Sequence, residues 1–135
     1  MITSKNYVSK VLRTESTDMQ PIKARLQNNK CIRLLHAGMG LCTEAAEFVD
    51  ALKKWIFYGK ELDNINLKEE IGDTAWYVAL AVDVLNTTFD EVLSCNIAKL
   101  KKRYPEKFTS DAAINRDVTQ EMTVFTKECD ANTKA

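Results

Sequence analysis

Two long stretches with apolar residues at helical spacing, separated by one short polar loop, constrain this chain more than anything else in it. In the first, Leu34, Ala37, Leu41, Ala45, Phe48, Leu52 and Trp55 recur every three or four residues, which places them along one face of a helix. The second is LKEEIGDTAWYVALAVDVL, Leu67 to Leu85. Between them lies FYGKELDNIN, whose Gly59, Asp63 and Asn64 mark a loop. Helices joined by so short a connection run antiparallel, side by side. Only 4 glycines and 2 prolines interrupt the 135 residues, so the expected fold is all-α and built like a four-helix bundle.

The flanking segments extend that pattern. A short helix is expected around Ser4 to Arg13, then a polar turn that ends at Pro21, a residue suited to opening a helix. From Ile22 to about Trp55 the chain reads as one helix, or as two if Gly38 and Gly40 interrupt it. Asn66 fits an N-cap, with Glu69 three residues later closing a capping box, so the next helix is expected from Leu67 to about Asn86. Thr88 followed by Glu91 repeats the pattern and starts a helix that ends near Tyr104, before Pro105. Beyond Phe108 the chain is polar, with one further helical stretch around Val118 to Glu128. The organisation expected is an N-terminal arm or short helix over 1–20, a helical domain over 21–108, and a tail or arm over 109–135.

Composition narrows the functions. Lys and Arg number 19, as do Asp and Glu. No global field therefore favours nucleic acid or a membrane surface. No run approaches the length that spans a bilayer, and the expectation is a soluble, cytoplasmic protein. Cys31, Cys42, Cys95 and Cys129 form no CxxC pair, and reduced thiols are expected. The single histidine, His36, leaves a Cys/His zinc site short of ligands and a nucleophilic serine or cysteine short of bases. No GxxxxGK[ST] loop is present.

The chemistry concentrates in carboxylates. At about 100° per residue, the Leu67 helix has an apolar stripe of Leu67, Ile71, Ala75, Val78, Val82 and Leu85, opposite a narrow polar side. Glu70 and Asp73 belong to neither; they align with Tyr77, Ala81 and Val84, a second and largely apolar face. On the preceding helix Glu44 and Glu47 border the stripe of Leu41, Ala45, Phe48 and Leu52. Most ExxE pairs are solvated surface, but two acidic pairs on adjacent antiparallel helices bring four anions toward one cleft. Their repulsion in partly apolar surroundings is relieved by raised pKa values or by a cation. With oxygen ligands alone, that cation is hard: Mg²⁺, with Mn²⁺ as a substitute. A di-iron bundle would need Glu-x-x-His motifs, which are missing.

A cationic face answers the acids. Asn96, Lys99 and Arg103 recur at i, i+3 and i+7 on the next helix, with Tyr104 beside them, and Lys54 lies two turns beyond Glu47. A divalent ion bridging phosphate oxygens while Lys and Arg neutralise the others is an arrangement that holds a polyphosphate. Water acidified by the ion would be the nucleophile and a glutamate its base. Tyr77, with Trp55 or Trp76, offers a stacking wall for a base, although aromatic residues at these spacings also serve as core.

These residues resemble a known family. LLHAGMGLCTEAAEFVDALKKWIFYGKELDNINLKEEIGDTAWYVALAVDVL, followed by NIAKLKKRYPEKF, is similar to the MazG-like nucleoside triphosphate pyrophosphohydrolases of the all-α NTP pyrophosphatase superfamily, over about residues 34–108. The ExxE and ExxD elements of that family match Glu44, Glu47, Glu70 and Asp73. The resemblance implies a helical bundle that forms dimers or tetramers and binds Mg²⁺ through those four acids. It implies cleavage of an NTP or dNTP to the monophosphate and pyrophosphate. Glu47 and Glu70 are the expected catalytic residues, with Glu47 the first choice of base. Asn96, Lys99 and Arg103 would hold phosphate or sugar, while Tyr77 and Tyr104 would line the nucleotide pocket. Lys54 and Trp55 complete the expected substrate contacts. A hydrolase preferring dUTP or dCTP is the nearest alternative, and a non-catalytic helical oligomer that binds metal or a protein partner is the alternative of another class.

Overall fold

The computed structural model describes residues 3–132. It contains seven helices and no strand among the described residues: α1 (Ser4–Leu12), α2 (Met19–Leu26), α3 (Asn29–Tyr58), α4 (Asn64–Val84), α5 (Phe89–Arg103), α6 (Ser110–Ile114) and α7 (Val118–Asn132). The all-α expectation holds. The main packings are α3 on α4 and α5 on α7, with a smaller contact between α2 and α3.

Local chemistry sets the helix ends. Of the two alternatives left open for this segment, one helix or two, the structure has two, but the break falls at Gln27 and Asn28 and not at the glycines. Asn28 takes the N-cap of α3 and accepts from the backbone N–H groups of Lys30 (2.8 Å) and Cys31 (3.4 Å). α3 then runs unbroken through Gly38 and Gly40 for 30 residues, because an isolated helical glycine costs only about 1 kcal/mol. It stops at Gly59, whose φ of 66° is left-handed and suits a residue without Cβ. Pro21 sits in the first turn of α2, where its missing N–H has no intrahelical bond to lose.

The cap expected at Asn66 is corrected. α4 begins at Asn64, and Asp63 is its cap, accepting from the N–H groups of Ile65 (3.1 Å) and Asn66 (3.0 Å). The aspartate one turn earlier offers an anionic acceptor to the positive end of the helix, which outcompetes an amide. At α5 the expected cap is present: Thr88 accepts from the Glu91 N–H at 3.1 Å, while the Glu91 carboxylate takes the Thr87 hydroxyl at 2.6 Å. The stretch expected around Val118 is α7, with the Asp117 side chain accepting from the Gln120 N–H.

The seam between α3 and α4 is made of small residues. Ala37, Gly40 and Ala51 are the buried positions of α3. An added Cβ at Gly40 would land on the ring of Tyr77, against its Cε1, Cδ1 and Cζ atoms. α4 turns its Glu70–Tyr77–Ala81 face to this seam, so Glu70 is only 4% exposed. The stripe that looked like the core face is only half covered: Leu67, Val78 and Val82 are part-buried, while Ile71 is 59% and Leu85 55% exposed. Two helices cover only one stripe of each other, and α4 has two. Val49, Ile56 and Phe57 of α3 are likewise exposed. The total surface is 10882 Å², whereas a compact monomer of this mass exposes roughly 7,000 Å².

The expectation of four reduced thiols is also corrected: Cys95 of α5 is bonded to Cys129 of α7, with Cα atoms 5.6 Å apart across 34 residues. Helical register, which a search for CxxC spacing does not see, brings them together. Cys31 and Cys42 are free. No helix among the described residues is long and apolar enough to cross a membrane.

Candidate metal centre

Glu44 and Glu47 lie one turn apart on α3, and Glu70 faces them from α4. One carboxylate oxygen from each of the three lies within 4.8 Å of the others. Antiparallel packing across the Gly40 seam produces this convergence, since Glu44 stands one turn beyond Gly40 on the same face. Glu70 is positioned by Asn66, one turn earlier on α4, whose amide Nδ2 donates to its Oε1 at 2.7 Å. Burial pushes the Glu70 carboxyl above its ordinary range; the Asn66 bond draws it back down, and the neighbouring charges of Glu47 and Glu44 raise it further.

Asp73 is exposed, one turn on from Glu70, and stands outside the three-carboxylate group. It lines, with Glu44, Trp76 and Tyr77, a cleft of about 390 Å³. The Tyr77 ring meets Trp76 at 4.9 Å and His36 at 5.6 Å between centroids, edge to face, and His36 also meets Trp76 at 6.1 Å. Trp76 and Tyr77 therefore wall the cleft beside the carboxylates, and the His36 ring packs against both. A larger groove of about 790 Å³ between α2 and α3, lined by Ala24, Arg25, Cys31, Leu34 and Leu35 among others, holds no carboxylate.

The other expected contacts lie elsewhere. The Lys54 ammonium pairs with Asp50 at 2.7 Å. Lys53 and Lys54 together hold the Asp50 carboxyl down at about 2. Trp55 is half-exposed near the far end of α3. Asn96, Lys99 and Arg103 are partly buried on α5, which packs on α7 and not extensively on α3 or α4. Arg103 Nε donates to Glu121 Oε1 at 2.8 Å and its Nη2 to Oε2 at 2.5 Å. The Tyr104 ring packs against Phe108 at 5.5 Å and against the Arg103 guanidinium at 5.7 Å.

Sequence reasoning missed Asn66 as the partner of Glu70, and it missed His36 and Gly40. A signal for the last two was present: His36, Gly40 and Glu44 stand at i, i+4 and i+8, one face of one helix.

Comparison with known proteins gives the family. The family model of the MazG nucleotide pyrophosphohydrolase domain matches residues 35–108, a span that contains all four acids and the aromatic wall. No curated protein and no solved structure matches the chain. With the match covering more than half of its length, the chain belongs to the MazG nucleotide pyrophosphohydrolase family.

Proposed function

We propose that this chain hydrolyses nucleoside triphosphates, NTP or dNTP, to the monophosphate and pyrophosphate in a Mg²⁺-dependent reaction, acting as a homo-oligomer. The convergence of Glu44, Glu47 and Glu70 within 4.8 Å carries the reading. Carboxylates that close, one of them buried and pushed up in pKa, are relieved by a cation, and a donor set of oxygens alone suits Mg²⁺ or Mn²⁺. Glu44, Glu47 and Glu70 would hold the ion, with Asp73 joining from the cleft side. When bound, the ion supplies neutralisation of phosphate charge and acidification of water.

The chain's own groups do the rest. Glu47, exposed to solvent, is the base that takes a proton at a carboxylate oxygen from the water attacking the α-phosphorus. Glu70, fixed by Asn66, keeps its oxygen aimed at the same point. Tyr77 and Trp76 present apolar surface to the base or sugar and exclude water from that side of the cleft. Asn96, Lys99, Arg103 and Tyr104 serve phosphate and sugar from α5. Because α5 makes no extensive contact with α3 or α4 within one chain, a second copy is the natural source of that face. The excess surface and the exposed Ile71, Leu85, Val49 and Phe57 support such a partner.

The test is pyrophosphate release from a panel of NTPs and dNTPs, with and without Mg²⁺, for the parent and for Glu44→Ala and Asp73→Ala. Turnover is expected only with the metal and only in the parent, while all three keep the same helical circular dichroism. Turnover near the parent level in both variants would show that the chemistry lies elsewhere.

A further inference from the structure

The face of α5 that carries Lys99 and Arg103 is covered by α7 in three evenly spaced rungs. Arg103 meets Glu121, the Lys99 ammonium lies 5.9 Å from the centre of the Phe125 ring, and Cys95 is bonded to Cys129. Positions 95, 99 and 103 advance one turn at a time along α5, and 129, 125 and 121 retreat one turn at a time along α7. The two helices are thus antiparallel, tied by an ion pair at one end, a cation–π contact in the middle and a covalent bond at the other end.

The ion pair is bidentate and shared between two arginines. The Glu121 carboxylate, 3% exposed, receives Nε and Nη2 of Arg103 on its two oxygens and also Nη2 of Arg116 at 2.9 Å. Two guanidinium groups around one anionic acceptor is also an arrangement by which proteins grip phosphate. Here the acceptor comes from the chain itself.

We infer that α7 is a redox-held latch: while Cys95 and Cys129 are bonded, Glu121 occupies the grip of Arg103 and Arg116, and reduction of that bond opens the grip to a polyphosphate. The inference rests on the phosphate-binding role given to Arg103 under the proposed function. Tethering two turns away keeps Glu121 at high effective concentration beside Arg103. Without the tether, the ion pair, the Phe125 contact and the rest of the α5–α7 packing compete noncovalently against a ligand of several negative charges. The reductant is a dithiol. Its thiolate attacks Sγ of Cys129, the half-buried partner, since Cys95 is 0% exposed. The S–S bond breaks and Cys95 leaves as a thiolate that takes a proton. The second thiol of the reductant then displaces Cys129 as a thiol, so two electrons and two protons pass from the dithiol to the protein.

The experiment combines thiol counting, amide hydrogen exchange and calorimetric binding of inorganic tripolyphosphate, on the full chain before and after dithiothreitol. Of the four cysteines, two are expected to alkylate before reduction and four after. Reduction should speed exchange across 118–132 and tighten tripolyphosphate binding by at least about tenfold. Cys129→Ser should behave as reduced without reductant, and Glu121→Gln should bind tightly in both states. Four thiols alkylating without reductant, or exchange and affinity unchanged by reduction, overturns the latch. Hydrolysis of no nucleotide in either redox state would instead defeat the proposed activity, leaving the exchange and tripolyphosphate measurements to decide the latch.

Discussion

Replacing Gly40 by alanine probes the seam on which the carboxylate centre depends. In a helix interior the change gains about 1 kcal/mol of propensity. At Gly38, where an added Cβ meets nothing within 4 Å, that gain should be realised in full. At Gly40 the methyl would fall on the Tyr77 ring, so the ring must leave its place against His36 and Trp76 or α4 must back away. Overpacking of this kind costs about 1–3 kcal/mol, so the two alanine variants should differ by about that amount. For a chain of this length the difference corresponds to about 4–12 °C in melting midpoint. Thermal unfolding followed by far-UV circular dichroism, on the parent, Gly38→Ala and Gly40→Ala under one buffer, measures it. Pyrophosphate release should fall in Gly40→Ala and hold in Gly38→Ala, because Tyr77 lines the cleft with Glu44 and Asp73. Equal midpoints for the two variants would refute the close approach of α4 to α3 at Gly40.

Two further outcomes follow from the buried acids. Glu70 has a raised carboxyl pKa, chiefly from burial, so it favours the fold below the ordinary carboxylate range and loses that contribution as pH rises through its folded-state value. Glu70→Gln, which can still accept from Asn66, should therefore raise the metal-free melting midpoint by a few degrees at neutral pH and lack the upward shift with Mg²⁺ that the proposed metal role predicts for the parent. Glu121 is the opposite case: Arg103 and then Arg116 hold its carboxyl at about 2 against an ordinary 4.5. Its contribution is complete above 4.5 and is lost as pH falls toward 2, so the midpoint advantage of the parent over Glu121→Gln should shrink across that interval.

The helices were legible because their apolar spacing is long and regular, and the carboxylates because two acidic pairs flank one loop. What the sequence left ambiguous was which face of α4 turns inward. By hydrophobicity the stripe of Leu67, Ile71 and Leu85 is the better core, yet the face with Glu70 is the one that meets α3. Small residues decide this: Gly40 and Ala37 let Tyr77 and its neighbours approach, a matter of shape that hydrophobic periodicity does not record. The Asn66 assignment failed for a related reason, since Asp63 was equally able to cap and Asn66 had a second use one turn on at Glu70. The Cys95–Cys129 bond and the Arg103–Glu121 pair depend on how α7 lies along α5, which no local pattern specifies.

The five residues of the α3–α4 connection, 59–63, also set the order in which the molecule is born. Contacts between neighbours in sequence close small loops and form early, so the α3–α4 pair can assemble on a nascent chain before α7 has been synthesised. Its inner seam is then complete while the outer stripe of Ile71 and Leu85 has no cover. The hazardous interval for such a chain comes after local folding, when finished hairpins carry bare apolar flanks and must meet the right surface before a wrong one.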